Sequence, residues 1–153
     1  MTPAGAPALL YAAWVVALAA TGGSLFFGEV MGLPPCTLCW YQRICMYPLA
    51  LVLPVGIVLR DPRVVGYALP LAAIGLGIAV YHNLLYYHVI PESLAPCEQG
   101  VSCTTRQIEW LGFVTIPLLA LGAFAAITVC LAVVAARARG TPGASPSKRK
   151  VSP

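Results

Sequence analysis

Four long apolar stretches make up most of this chain and decide what it can fold into: residues 8–27, which carry no charge, 44–59, 64–87 and 111–136. A bilayer core takes roughly 20 apolar residues per helical crossing. The second stretch reaches that length if its helix starts near Cys36 or Cys39. Of the 153 residues 59% are hydrophobic and only 9% charged, a balance that points to a membrane protein. Inside lipid only helices and closed barrels satisfy their own backbone, and these stretches lack the alternation of a barrel strand. The expectation is an all-α membrane protein, a four-transmembrane-helix bundle with helices at about 8–27, 40–59, 64–87 and 111–136. Residues 1–136 form the single domain, and 137–153 a basic, disordered tail. Pro48, Pro54, Pro70 and Pro117 fall inside the stretches and are expected to kink helices without ending them, because neighbouring helices re-satisfy the freed groups.

Charge sets the orientation. Seven of the nine Lys and Arg residues are Arg60 and Arg63 in the second connector and Arg137, Arg139, Lys148, Arg149 and Lys150 at the C-terminal end. Positive charge stays on the cytoplasmic side, so both termini are expected there. The first and third connectors, 28–43 and 88–108, then face outward. No Lys or Arg precedes the first stretch and no small-residue cleavage site follows it, so it reads as a span and not as a signal peptide. The basic end reads as a topology anchor, with no nucleic acid partner expected.

Six cysteines carry the chemistry. Cys36 and Cys39 lie in the first outer connector, Cys97 and Cys103 in the second, and Cys45 and Cys130 within helices, where thiols pack as small apolar residues. Both outer pairs face the compartment in which disulfides persist. In "PPCTLCWYQR" the Cys-x-x-Cys pair follows two prolines suited to a helix entry, where unpaired N–H groups and the helix dipole favour a thiolate. Arg43 lies four residues beyond Cys39, on the same helical face, and can stabilise that sulfur or hold an acceptor oxygen. The second pair, in "PCEQGVSC", closes a short loop whose sulfurs can exchange with the first pair. Haem attachment is excluded, because Trp40 stands where His is required. Two bland alternatives remain: a zinc or copper site using the cysteines as ligands, and static disulfides.

"CTLCWYQR" at the start of the second helix, two cysteines in the outer loop before the fourth, and "CTTRQIEWLGFVTIP" leading into it resemble the DsbB family of membrane thiol oxidases, in its shorter BdbC-like branch. The resemblance runs through Val134. It implies a membrane thiol:quinone oxidoreductase in the cell membrane of a prokaryote, with the active cysteines on the extracytoplasmic side. The resemblance further implies that Cys36 and Cys39 are the pair coupled to ubiquinone or menaquinone, with Cys39 as the thiolate facing the ring. Arg43 matches the quinone-contacting arginine. Cys97 matches the cysteine that forms a mixed disulfide with a DsbA-like, thioredoxin-fold partner, and Cys103 the one that links transiently to Cys36. The family's quinone-site histidine has two matches, His82 in "YHNLLY" and His88, of which His82 fits better. The loop from Cys97 to Cys103 is shorter than in the best-known members. A vitamin K epoxide reductase shares this electron flow, but its membrane Cys-x-x-Cys is expected near the final helix.

Overall fold

The computed structural model describes residues 6–91, 109–110 and 114–139. Its elements are α1 (Ala6–Leu25), continued by a π-helical turn (Phe26–Val30), α2 (Thr37–Leu59), α3 (Val64–Tyr86), a two-residue strand β1 (Glu109–Trp110), its antiparallel partner β2 (Val114–Thr115), and α4 (Ile116–Arg139). The spans Pro7–Val30, Thr37–Leu59, Val64–Tyr86 and Ile116–Arg139 are each long and apolar enough to cross a membrane. At 1.5 Å per residue each reaches about 35 Å, against a hydrocarbon core of about 30 Å.

The helix ends follow from local chemistry. Past the π-helical turn, Gly32 takes the left-handed φ of 65° that a side chain disfavours, and Pro34 and Pro35 prevent helical continuation until Cys36. At the other end of α2, Arg60 turns left-handed (φ 51°) and the Asp61 N–H donates to the Gly56 carbonyl at 3.0 Å. Asp61 Oδ1 then accepts from the Arg63 N–H at 2.9 Å, which turns the chain into α3. The fourth helix starts at Ile116, five residues later than its apolar run, because residues 114–115 pair with 109–110. Pro117 therefore stands in the first turn of α4, where a missing N–H costs nothing, and not inside a helix as expected. Pro48, Pro54 and Pro70 are interior to α2 and α3, as the sequence implied.

Contacts at both ends make the bundle up-down-up-down. Ser24 of α1 meets Arg43 of α2, Gly56 of α2 meets Val64 of α3, and Asn83 of α3 donates to the Pro117 carbonyl of α4 at 2.9 Å. Apolar burial gives little drive between helices already in lipid, so close approach of small residues takes over. Ala13, Ala17, Ala68, Ala72 and Ala79 are almost wholly buried, and a Cβ on Gly75 would run into the Phe124 ring. Large apolar side chains such as Leu51, Val58, Ile74 and Val129 point outward, as a lipid-facing surface requires.

One contact shows how an interior proline is tolerated. Pro54 has no N–H for the carbonyl of Ala50, four residues earlier, and the Trp14 indole N–H of α1 donates to that carbonyl instead, at 3.2 Å. Trp14→Phe is expected to cost about 1 kcal/mol by orphaning that oxygen, measured by denaturant titration in detergent. In a Pro54→Ala background, where the backbone N–H returns, the same substitution should cost little. Equal costs in both backgrounds would show that the two sites are not coupled.

Candidate functional site

The end of the bundle where α2 begins and α3 finishes collects the reactive side chains. Cys36 has extended backbone angles (φ −70°, ψ 169°) and caps α2, its sulfur accepting from the Cys39 N–H at 3.4 Å. A sulfur thus stands where Ser or Asp caps other helices, facing N–H groups that α2 cannot satisfy itself. Cys39, three residues on, brings its Sγ to 2.8 Å from that of Cys36. Cys36 is buried and Cys39 partly exposed.

From α3, His82 closes the site from below. It is 2% exposed, its Nε2 lies 3.9 Å from the Cys36 sulfur, and its Nδ1 lies 3.4 Å from Gln42 Nε2 of α2. A Gln42 amide donating to Nδ1 leaves the proton on Nε2, aimed at Cys36. The Cys36 thiol is accordingly lowered from 9.0 to about 4, first by the hydrogen bond with the Cys39 thiol, with His82 and the Cys39 N–H adding to it against the opposing effect of burial. In the reduced pair the charge therefore rests on Cys36. The resemblance implied the thiolate at Cys39, the other member of the pair.

Arg43 lies one turn further along α2, half-buried. Its Nε donates to Ser24 Oγ at 2.9 Å and its NH2 group to the Ser24 carbonyl at 3.0 Å, and the guanidinium stands 5.3 Å from the centre of the Trp40 ring. A Cβ on Gly28 would fall 2.8 Å from the same NH2 group, so a glycine makes room for the guanidinium. Beside it, a cavity of about 370 Å³ opens between α1, α2 and α4. Cys39, Gln42 and Arg43 bring polar atoms to a lining otherwise dominated by Phe27, Met46, Ile116, Leu119 and Phe124. Its volume and apolar character suit a small aromatic ring, with Cys39 and Arg43 at its edge.

The structure brings together Cys36, Cys39, Arg43 and His82 of the residues singled out in the sequence. His88, exposed just beyond α3 with φ 56°, is not part of this group. Cys45 is buried in the core and Cys130 packs against it, as inert thiols would. Cys97 and Cys103 lie outside the described residues. Sequence reasoning missed Gln42 and Ser24. Gln42 is three residues past Cys39, a helical-face signal, but its partner on α3 is visible only in three dimensions. Two thiols and an imidazole within 4.8 Å of one another could also hold a metal ion.

With Cys36 this acidic, thiolate ultraviolet absorbance of the reduced protein should persist through mildly acid pH and disappear only as pH falls through about 4. The stability that this ionisation gives the reduced form is fully present above about pH 9 and is lost progressively as pH falls to about 4, the sign expected for a depressed pKa. Cys39→Ala removes the largest cause and should move the titration to higher pH. An unmoved midpoint would contradict the assignment.

The family described as "Disulfide bond formation protein DsbB" matches residues 6–134. The chain is 47% identical over 125 residues to "Disulfide bond formation protein C" of Bacillus subtilis, covering 82% of this chain and 91% of that one. It is 48% identical over 126 residues to "Probable disulfide formation protein C 1" of Bacillus anthracis, covering 82% and 90%. With "Probable disulfide formation protein" of Metapseudomonas resinovorans it shares 44% identity over 135 residues, covering 88% and 92%. No solved structure matches the chain.

Proposed function

This chain belongs to the DsbB family of disulfide bond formation proteins, multi-pass membrane proteins that generate disulfides, and we propose that it reoxidises a thioredoxin-fold partner and passes the electrons to a membrane quinone. The observation that carries this reading is the apolar cavity meeting Cys39 and Arg43 beside the Cys36–Cys39 pair. The site end of the bundle then faces the extracytoplasmic side and both termini the cytoplasm, in keeping with the distribution of Lys and Arg.

The proposed sequence balances as thiol–disulfide exchange. A thiolate of the reduced partner attacks Cys97 of the Cys97–Cys103 disulfide, and Cys103 leaves as a thiolate. The partner's second thiol then resolves the mixed disulfide, releasing an oxidised partner and two thiols on this chain. Cys103 next attacks Cys36 of the Cys36–Cys39 disulfide, and Cys39 leaves with the electron pair, facing the cavity. Attack of Cys97 on Cys103 restores the outer disulfide and frees Cys36, whose charge the α2 N-terminus and His82 hold. Ubiquinone or menaquinone, bound along the lining from Phe27 to Phe124, would supply the two-electron acceptor. Arg43, already fixed by Ser24, is placed to hold an acceptor oxygen as negative charge grows on it. A second reading, a copper- or zinc-handling protein, draws on the three soft donors gathered at Cys36, Cys39 and His82.

Arg43→Ala is expected to lower quinone reduction by roughly 10²-fold, the scale of losing one electrostatic donor, while partner exchange stays nearly intact. Ser24→Ala should give a weaker form of the same defect. Equal loss of both activities in Arg43→Ala would remove the role assigned to the guanidinium. Cys36→Ser leaves Cys39 unpaired at the cavity, and on adding quinone a new long-wavelength absorbance band is expected, lost with Cys39→Ser. Absence of a band with either quinone would favour the metal reading.

A further inference from the structure

The first turn of α2 and the last turns of α3 bring three soft donors to one point. Cys36 Sγ, Cys39 Sγ and a ring nitrogen of His82 lie within 4.8 Å of one another, with Cys36 and His82 buried. Around a tetrahedral zinc ion, with Zn–S of about 2.3 Å and Zn–N of about 2.0 Å, two sulfurs stand about 3.8 Å apart and sulfur and nitrogen about 3.5 Å. The Cys36 to His82 separation, 3.9 Å, is already near that value. The two sulfurs, at 2.8 Å, would need to part by about 1 Å, within reach of side-chain rotation.

We propose that the reduced Cys36–Cys39 pair and His82 form a binding site for a thiophilic divalent cation of the zinc class, a site that exists only in the reduced protein and withholds it from turnover. Binding itself is independent of the quinone reading, and the withholding of turnover rests on it. No electrons move: the cation displaces only the proton that the reduced pair still carries, and two thiolates with one divalent ion give a site of zero net charge. Neutrality limits the cost of burial near the membrane boundary. The oxidised pair offers no thiolate, so the site disappears once the disulfide forms.

The surroundings discriminate among ions. None of the three donors is an oxygen, which disfavours calcium and magnesium. Gln42 supplies the outer support that metal-bound imidazoles use. With its amide turned, Oε1 accepts from Nδ1–H and leaves the Nε2 lone pair for the ion. The partly exposed Cys39 side leaves a fourth position for water.

The test uses reduced, metal-free, full-length protein in detergent, titrated with cobalt(II) as a spectroscopic probe and then with zinc in competition. One equivalent of cobalt should produce thiolate-to-metal absorption, and zinc should bleach it. The oxidised protein should show none, Cys36→Ser and Cys39→Ser should abolish it, and Cys97→Ser with Cys103→Ser should retain it. His82→Gln, which keeps a polar group of similar size, should weaken binding at least tenfold, and Gln42→Ala by roughly 10- to 100-fold. Unchanged affinity in His82→Gln, equal uptake by the oxidised protein, or loss of the signal in the Cys97/Cys103 double variant would overturn the site. Quinone reduction by the same metal-free sample separates the two ideas. Its absence sinks the oxidase reading and with it the inhibitory role, while the cobalt spectrum alone decides the site.

Discussion

Everything in this molecule depends on satisfying polar groups without water. In lipid an unpaired backbone N–H or C=O costs several kcal/mol, so the chain is helical wherever it spans. The same requirement explains the departures from regular helix. The carbonyl that Pro54 leaves without a donor is met by Trp14 from another helix, and the Asn83 amide donates to the Ala79 and Pro117 carbonyls, joining α3 to α4. Each is a place where helix packing and hydrogen-bond satisfaction are a single event.

Helix termini are where that requirement becomes chemistry. The N–H groups at the start of α2 have no partner within their own helix, and here a cysteine sulfur takes one of them. A cap that accepts more strongly when ionised is also a thiolate stabiliser, so structural need and nucleophile activation fall on the same atom. Arg43 obeys the same rule with opposite sign. A guanidinium at the bilayer centre costs about 2.5–3.5 kcal/mol on insertion scales, and near the end of a span it can lie half-buried against Ser24 and Trp40. Cation and thiolate end up within two helical turns because both are tolerable only near the end of the span.

The fold was readable because apolar length is a blunt, local signal: four stretches of the right size admit few arrangements. Helix ends were less so. The start of α4 depends on pairing between residues 109–110 and 114–115, and an apolar run cannot reveal where a strand pair replaces the helix. At the site, the thiol pair and Arg43 were legible from spacing alone. The choice between His82 and His88 turns on helical phase. Ala72, Gly75, Ala79, His82 and Tyr86 form one buried stripe at steps of three and four, and His88 falls beyond the helix end. Gln42 carried only its place on the helical face of Cys39 and Ser24 no signal of its own, since each matters through a partner on another helix.

The division of labour within the thiol pair explains why two sulfurs are needed where one might react. Cys39 lines the apolar cavity, and Cys36, turned toward His82, is not among the residues lining it. An acceptor dissolved in lipid and a thiol arriving from water approach from different directions, and a single sulfur cannot face both. Three residues of helix rotate the second position by about 300°, enough to give each sulfur its own environment while both stay within bonding reach. In the proposed relay the pair would work as a two-faced contact: charge held at Cys36 by the cap and the imidazole, electrons leaving from Cys39 beside Arg43. For such a relay the helix start has to lie at the membrane boundary, and the two prolines ahead of Cys36 set the start of α2 at that residue.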